Sequence, residues 1–168
     1  MRKRSGTMKQ RMMRLLLEYL KDSKRSDREI AEVLGVSQPT ITRTRQRLVK
    51  EGAIQEFTVI PDFVEMGYEI MAVSCFKLRG TDESMEKAKK VTTAKPNIIF
   101  ASSGQGMRKD AVMISLHRNY TDFSKFLRDL RLEGGADLRD YDTMLISLKE
   151  EAFKPLSLKY LAEPKETL

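Results

Sequence analysis

The stretch from Ser26 to Ile54, SDREIAEVLGVSQPTITRTRQRLVKEGAI, reads as two short helices joined by a tight turn, a helix-turn-helix. Ala31 falls where the first helix must let the second approach, Gly35 where the turn needs a residue tolerant of positive φ, and Ile41 where the second helix packs back. Ile30, Leu34, Val36 and Leu48 complete a small core. Each helix carries its own start signal. Ser26 with Glu29 three residues on makes a capping box, and Ser37 caps a second helix whose first turn tolerates Pro39. Gly52 stops that helix.

On a wheel drawn at about 100° per residue with Ile41 inward, Leu48 falls beside it, while Thr40, Thr42, Arg43, Gln46, Arg47 and Lys50 point away. Such a hydrogen-bonding, cationic face suits the major groove of double-stranded DNA. Arg43, Gln46 and Arg47 are candidates for base edges; Ser37, Thr40, Thr42 and Lys50 are candidates for phosphates, with Gln38 beside them. The other reading of this face is a solvated surface helix. Arg45 sits near the inward side, where it must snorkel or find a carboxylate.

Charge agrees with the helix. Residues 1–60 hold 14 Lys+Arg against 7 Asp+Glu, whereas residues 61–168 hold 17 of each, so the net charge of +7 belongs to the N-terminal third. A phosphate backbone rewards that asymmetry through counterion release. Arg2, Lys3 and Arg4 are either a mobile arm on the duplex or a solvated tail. No run approaches the roughly 18 to 20 apolar residues of a membrane span, and MRKRSGTMKQ lacks a signal peptide's apolar stretch, so a cytoplasmic protein is expected. Cys75 alone forms no internal disulfide and reads as a small hydrophobe in a strand. With one histidine, His117, at a strand end, no multi-histidine metal site, no cofactor and no catalytic group are expected.

Arg11 to Leu20 carries Met12, Met13, Leu16, Leu17 and Leu20 at helical spacing, an amphipathic helix to cover the helix pair. AIQEFTVI after Gly52 is β-rich and fits a short strand or wing, and Pro61 to Gly67 form a connector. From Tyr68 the pattern becomes a strand (YEIMAVSCFKL), a helix from Asp82 to about Thr93 capped by Thr81, two strands (NIIFASS, AVMISLH), a helix from Tyr120 to Leu132, and a strand around Tyr141 to Leu148. The order βαββαβ describes a ferredoxin-like antiparallel sheet with both helices on one face. Met71, Val73 and Cys75 on one parity and Ile70, Ala72 and Phe76 on the other leave the first strand apolar on both sides. That predicts a second copy over the open face. FKPLSLKYLAEP packs either on the sheet edge or on a neighbour.

The fold class is therefore α+β: a winged helix-turn-helix domain (residues 1–60), a connector (61–67), a ferredoxin-like dimerisation domain (68–150) and a tail (151–168). In this order, REIAEVLGVS, RLVKEGAI, PDFVEMGYEI and the GQGMRKD hairpin resemble the leucine-responsive and asparagine-synthetase (Lrp/AsnC, feast/famine) regulator family. The resemblance implies operator binding as a dimer or higher assembly, with a C-terminal domain that oligomerises and senses an amino acid or related metabolite. Where the family commonly has Arg and then an aliphatic residue in the recognition helix, this chain has Thr44 and Arg45. The family's effector pocket maps onto Gly104, Gly106 and Asp110, here in a longer loop carrying Arg108 and Lys109. Read from its residues alone, SSGQGMRKD is either an anion-holding site or a hairpin loop whose glycines only satisfy turn geometry.

The leading function is a sequence-specific transcription regulator. A non-specific DNA-compacting protein would use the same charge but need no polar reading face. A decarboxylase acting on modified tetrapyrroles shares the architecture, but a solitary His117 leaves little imidazole for proton transfer.

Overall fold

A computed structural model describes residues 9–78, 81–134 and 140–163. Arg2, Lys3 and Arg4 lie outside them. The elements are α1 (Gln10–Lys21), α2 (Asp27–Leu34), α3 (Gln38–Lys50), β1 (Ile70–Phe76), α4 (Asp82–Thr93), β2 (Ile98–Gly106), β3 (Lys109–His117), α5 (Tyr120–Gly134), β4 (Tyr141–Ser147) and a 3-10 turn at Lys159–Ala162. The chain divides into two compact units: residues 1–60 with 154–168, and residues 61–153.

In the N-terminal unit, Leu15, Ile30, Ala31, Ile41 and Leu48 form a buried cluster against which Leu34 and Val36 pack, as the motif requires. Ser26 and Glu29 make the reciprocal capping box, since Glu29 N–H donates to Ser26 Oγ (3.2 Å) and Ser26 N–H to Glu29 Oε2 (2.7 Å). Gly35 turns the chain at φ 63°. At the end of α3, Gly52 adopts φ 72°, its N–H donates to Val49 O (3.0 Å) and Ala53 N–H donates to Leu48 O (2.9 Å), the paired bonds of a Schellman stop.

Three expectations are corrected here. Ser37 stands at the N-cap of α3 without capping it by hydrogen bond, because its hydroxyl is shared with Thr40 Oγ1 (2.9 Å). On α1 the apolar residues buried are Met12, Leu15 and Tyr19; of the expected stripe Met12 is buried and Leu16 packs on the core, whereas Met13 is exposed and Leu17 and Leu20 are only half-buried. Ala53–Ile60 forms no strand, since no described strand of this chain offers a ladder to its backbone. The tail also departs from expectation, since its 3-10 turn lies against α1 of this unit and not on the sheet edge.

The second unit is a four-stranded antiparallel sheet in the order β2-β3-β1-β4. Phe76, Met113, Phe126 and Leu130 form its buried cluster, joined by Val91 of α4, so both helices cover the face that carries the even-numbered β1 residues. His117 ends β3 as expected. It is fully buried against Phe123 and Phe126 (centroids 5.2 and 4.8 Å), with Nε2 bonded to Ser115 Oγ at 2.8 Å. The opposite face carries the row Phe100, Ile114, Val73 and Met144, with Phe100 50% and Met144 68% exposed. Cys75 is on this face too, half-buried.

Candidate nucleic-acid interface

Helix α3 is held on its inner side by an acidic hub at the start of α2. Arg45 donates to both Asp27 oxygens (Nε to Oδ1 3.1 Å, Nη2 to Oδ2 3.0 Å), Thr42 Oγ1 donates to Asp27 Oδ2 (2.7 Å), and Tyr19 OH of α1 donates to Asp27 Oδ1 (3.0 Å). One carboxylate thus ties together all three helices. A bidentate guanidinium pair fixes both distance and plane, which sets the rotation of α3 about its axis. Burial pushes the Asp27 carboxyl up, but the bonds from Arg45, Thr42 and Tyr19 outweigh it and hold it below its ordinary value. Burial, then the bond to Asp27, pushes the Tyr19 phenol up to about 12. A second carboxylate, the buried Glu18, takes Lys21 (2.5 Å) and Arg25 (2.6 Å).

Asp27 is the residue that motif reading passes over, because at the start of a helix an Asp looks like a dipole-compensating surface group. Its signal was Arg45. An arginine on the inward side either snorkels or meets a carboxylate across the helix pair, and here Asp27 meets it.

The remaining site residues fall into two groups. Ser37, Gln38, Arg43, Gln46, Arg47 and Lys50 are exposed along the outer side of α3, and Thr40 is half-buried beside them. Arg43, Gln46 and Lys50 make no side-chain hydrogen bond or ion pair among the described residues, whereas Arg47 holds Glu51 one turn on (2.6 Å) through an exposed pair that a phosphate can replace. Thr42 belongs to neither surface use. Its hydroxyl proton is committed to Asp27 and it is half-buried, so the phosphate role expected for it is corrected to one of positioning.

The hairpin also departs from expectation. Gly104 and Gly106 lie within β2, exposed, and the turn is only Met107 and Arg108, at φ 49° and 59°. It is a two-residue connection with both residues left-handed, where the sequence suggested a long loop. Asp110 is the second residue of β3 and pairs with Lys77 at 3.2 Å. Its carboxylate stands apart from the Lys109 side chain, which engages Asp140 and Asp142.

The fold and this helix define a helix-turn-helix protein carrying an antiparallel α+β domain. Residues 4–56 match the homeodomain-like domain family. An HTH-type transcriptional regulator of Pyrococcus horikoshii is 30% identical over 144 residues, 82% of this chain and 92% of its own. An AsnC family transcriptional regulator from Agrobacterium tumefaciens superposes with a TM-score of 0.74 at 15% identity, covering 92% of this chain and 99% of its own. A transcriptional regulator from Neisseria meningitidis, crystallised with L-Met, gives 0.73 at 15% identity over the same shares. The chain belongs to the HTH-type, DNA-binding transcription regulators, and its fold is that of the AsnC family structures. No helix among the described residues is long and apolar enough to cross a membrane.

Proposed function

We propose that this protein is a cytoplasmic, sequence-specific regulator that reads operator DNA with α3 as a homodimer or larger homo-oligomer and acts by binding, with no catalytic step. The observation that carries this reading is the division of α3. Its inner side is spent on Asp27 and the core, while Arg43, Gln46 and Lys50 are left uncommitted on the outer side. Polar groups that could read an edge, held on a rotationally fixed helix, favour sequence reading over indiscriminate charge contact. The dimer is supported by the bare apolar row of the sheet, and two copies would set two α3 helices about one duplex turn, roughly 34 Å, apart.

Sequencing the DNA fragments that co-purify with the protein tests this directly. A few strong, near-palindromic sites are expected; uniform genomic coverage would instead identify a compacting protein. At such a site, Arg43→Ala or Arg47→Ala should weaken binding by about 1–3 kcal/mol while sparing random duplexes. Equal losses on both would make these residues phosphate clamps and end the base-reading assignment.

An amino acid or related metabolite is the proposed effector, held near Gly104, Gly106 and Asp110. The L-Met bound by the Neisseria protein supports that class, as do two exposed glycines beside a strained turn. Calorimetric titration with the amino acids is expected to give binding that Asp110→Ala removes.

A further inference from the structure

The two helices over the sheet are not equivalent. Helix α5 drives Phe123, Phe126 and Leu130 into the sheet, all at most 9% exposed. Helix α4 turns inward Ser84, Ala88 and Val91, at i, i+4 and i+7, and only Ser84 is buried. Beneath it the helix-facing residues of β2 and β3 include Ala101, Ser103 and Ala111. Small side chains thus meet small side chains across a helix–sheet gap built for large ones, and the gap stays open. Ala101 and Ser103 are exposed although they face the helix layer.

The result is a cavity of about 380 Å³ between α4 and the β2–β3 half of the sheet. That is within the roughly 300–1,000 Å³ of small-molecule sites. Its deeper wall is apolar, including Phe76, Leu78, Val91, Met113 and Leu130. Ser84 lines it, is 5% exposed, and its buried hydroxyl has no hydrogen-bond partner among the described residues. Gly104, Gly106 and Asp110 do not line it.

We propose that this cavity binds an uncharged, mainly apolar small molecule carrying one hydrogen-bonding group, which meets the Ser84 hydroxyl. Ordered water is a poor occupant, because a buried water wants two to four polar partners and this wall supplies few. A charged end group is equally unsuited. Glu86, Lys87 and Lys89 are exposed positions of α4 at the rim, so a charge taken inside would exchange its hydration for neutral hydroxyls alone, Ser84 in the wall and Ser103, Thr92 and Thr93 around it. An aromatic or aliphatic body with a hydroxyl, amide or N–H fits both constraints. The site is separate from α3 and stands or falls independently of DNA reading.

Methyl-detected NMR on the full chain, titrated with p-cresol, toluene and benzoate, tests the assignment. Saturable shifts of the Ala88, Ala101, Ala111 and Met113 methyls are expected with p-cresol, weaker ones with toluene, and none with benzoate. Ser84→Ala should weaken p-cresol about 3- to 10-fold while leaving toluene unchanged. Filling the gap from either wall, by Ala88→Leu on the helix or Ala101→Leu on the sheet, should abolish both, with undisturbed methyl signals of the N-terminal unit reporting an intact chain. The proposal is overturned if p-cresol gives no saturable shift, if its shifts survive in both filled variants, or if Ser84→Ala binds it as well as the parent.

Discussion

The two units finish their surfaces in opposite ways. In the N-terminal unit, Leu15, Ile30, Ile41 and Leu48 close a core with little exposure, and the buried Glu18 and half-buried Asp27 both hold cationic partners. What remains outside on α3 is mostly polar and charged, with Val49 as the large apolar exception. The second unit stops short: one sheet face presents Phe100, Val73, Ile114 and Met144, and the gap under α4 is unfilled. A three-helix scaffold with a closed core leaves its charges on α3 for a polar partner, while a half-covered sheet leaves a continuous apolar row for an apolar partner. The difference in finish is a difference in what each unit is made to meet.

The most severe way to break this contrast is to open the finished core. Leu48→Ala should destabilise the N-terminal unit by about 2–5 kcal/mol, because a wholly buried leucine leaves a cavity. Chemical denaturation followed by residue-resolved NMR should show its loss before that of the sheet unit. A simultaneous loss would mean that the units do not differ in independence. On the sheet side, Met144→Glu places a charge in the apolar row at a position already exposed in one chain. It should shift sedimentation toward the monomer without altering the monomer's fold, whereas an unchanged assembly would remove the sheet face as the interface.

The hub offers a subtler cut. Asp27→Ala leaves Arg45, Thr42 and Tyr19 without their acceptor, and should cost about 1–3 kcal/mol of stability. Because the lost groups set the rotation of α3, operator affinity should fall even in samples that remain folded. Unchanged affinity in the folded protein would confine Asp27 to stability.

The smallest expected effect is one of pH. Burial pulls the His117 imidazole below its ordinary value, and Asp122 at 3.9 Å opposes this only in part. The unfolded chain then binds the proton more readily. Stability of the sheet unit is therefore complete above about pH 6.5 and is lost as pH falls toward the lowered folded value. Glu18 and Asp27 are also depressed, but from carboxylate values, so the N-terminal unit should hold until below about pH 4. Amide exchange at pH 7.5 and 5.5 should show the sheet unit loosening alone; equal loosening of both would contradict this assignment.

Much of the N-terminal unit was legible in one dimension because its signals are local. A capping box spans three residues, a glycine stop is one residue, and the inward stripe of α3 repeats along one helix. The βαββαβ order was legible for the same reason, since alternation and capping mark each element separately. The face of α1 was legible only at Met12 and Leu16, because Met12, Met13, Leu15, Leu16 and Leu17 offer several stripes and only the position of α2 and α3 selects among them. The strand expected in Ala53–Ile60 failed because β propensity makes no strand without a ladder.

Taken alone, the order of residues determined which side chains α3 could show to a duplex and that Arg45 lay toward the packed side, to snorkel or meet a carboxylate, since helical periodicity fixes direction within one element. Tertiary structure decided which carboxylate answered, that Thr42 would serve Asp27 instead of a phosphate, and that small residues from α4, β2 and β3 would face each other across an unfilled gap. These depend on distances between elements remote in sequence, which periodicity along a single element does not encode.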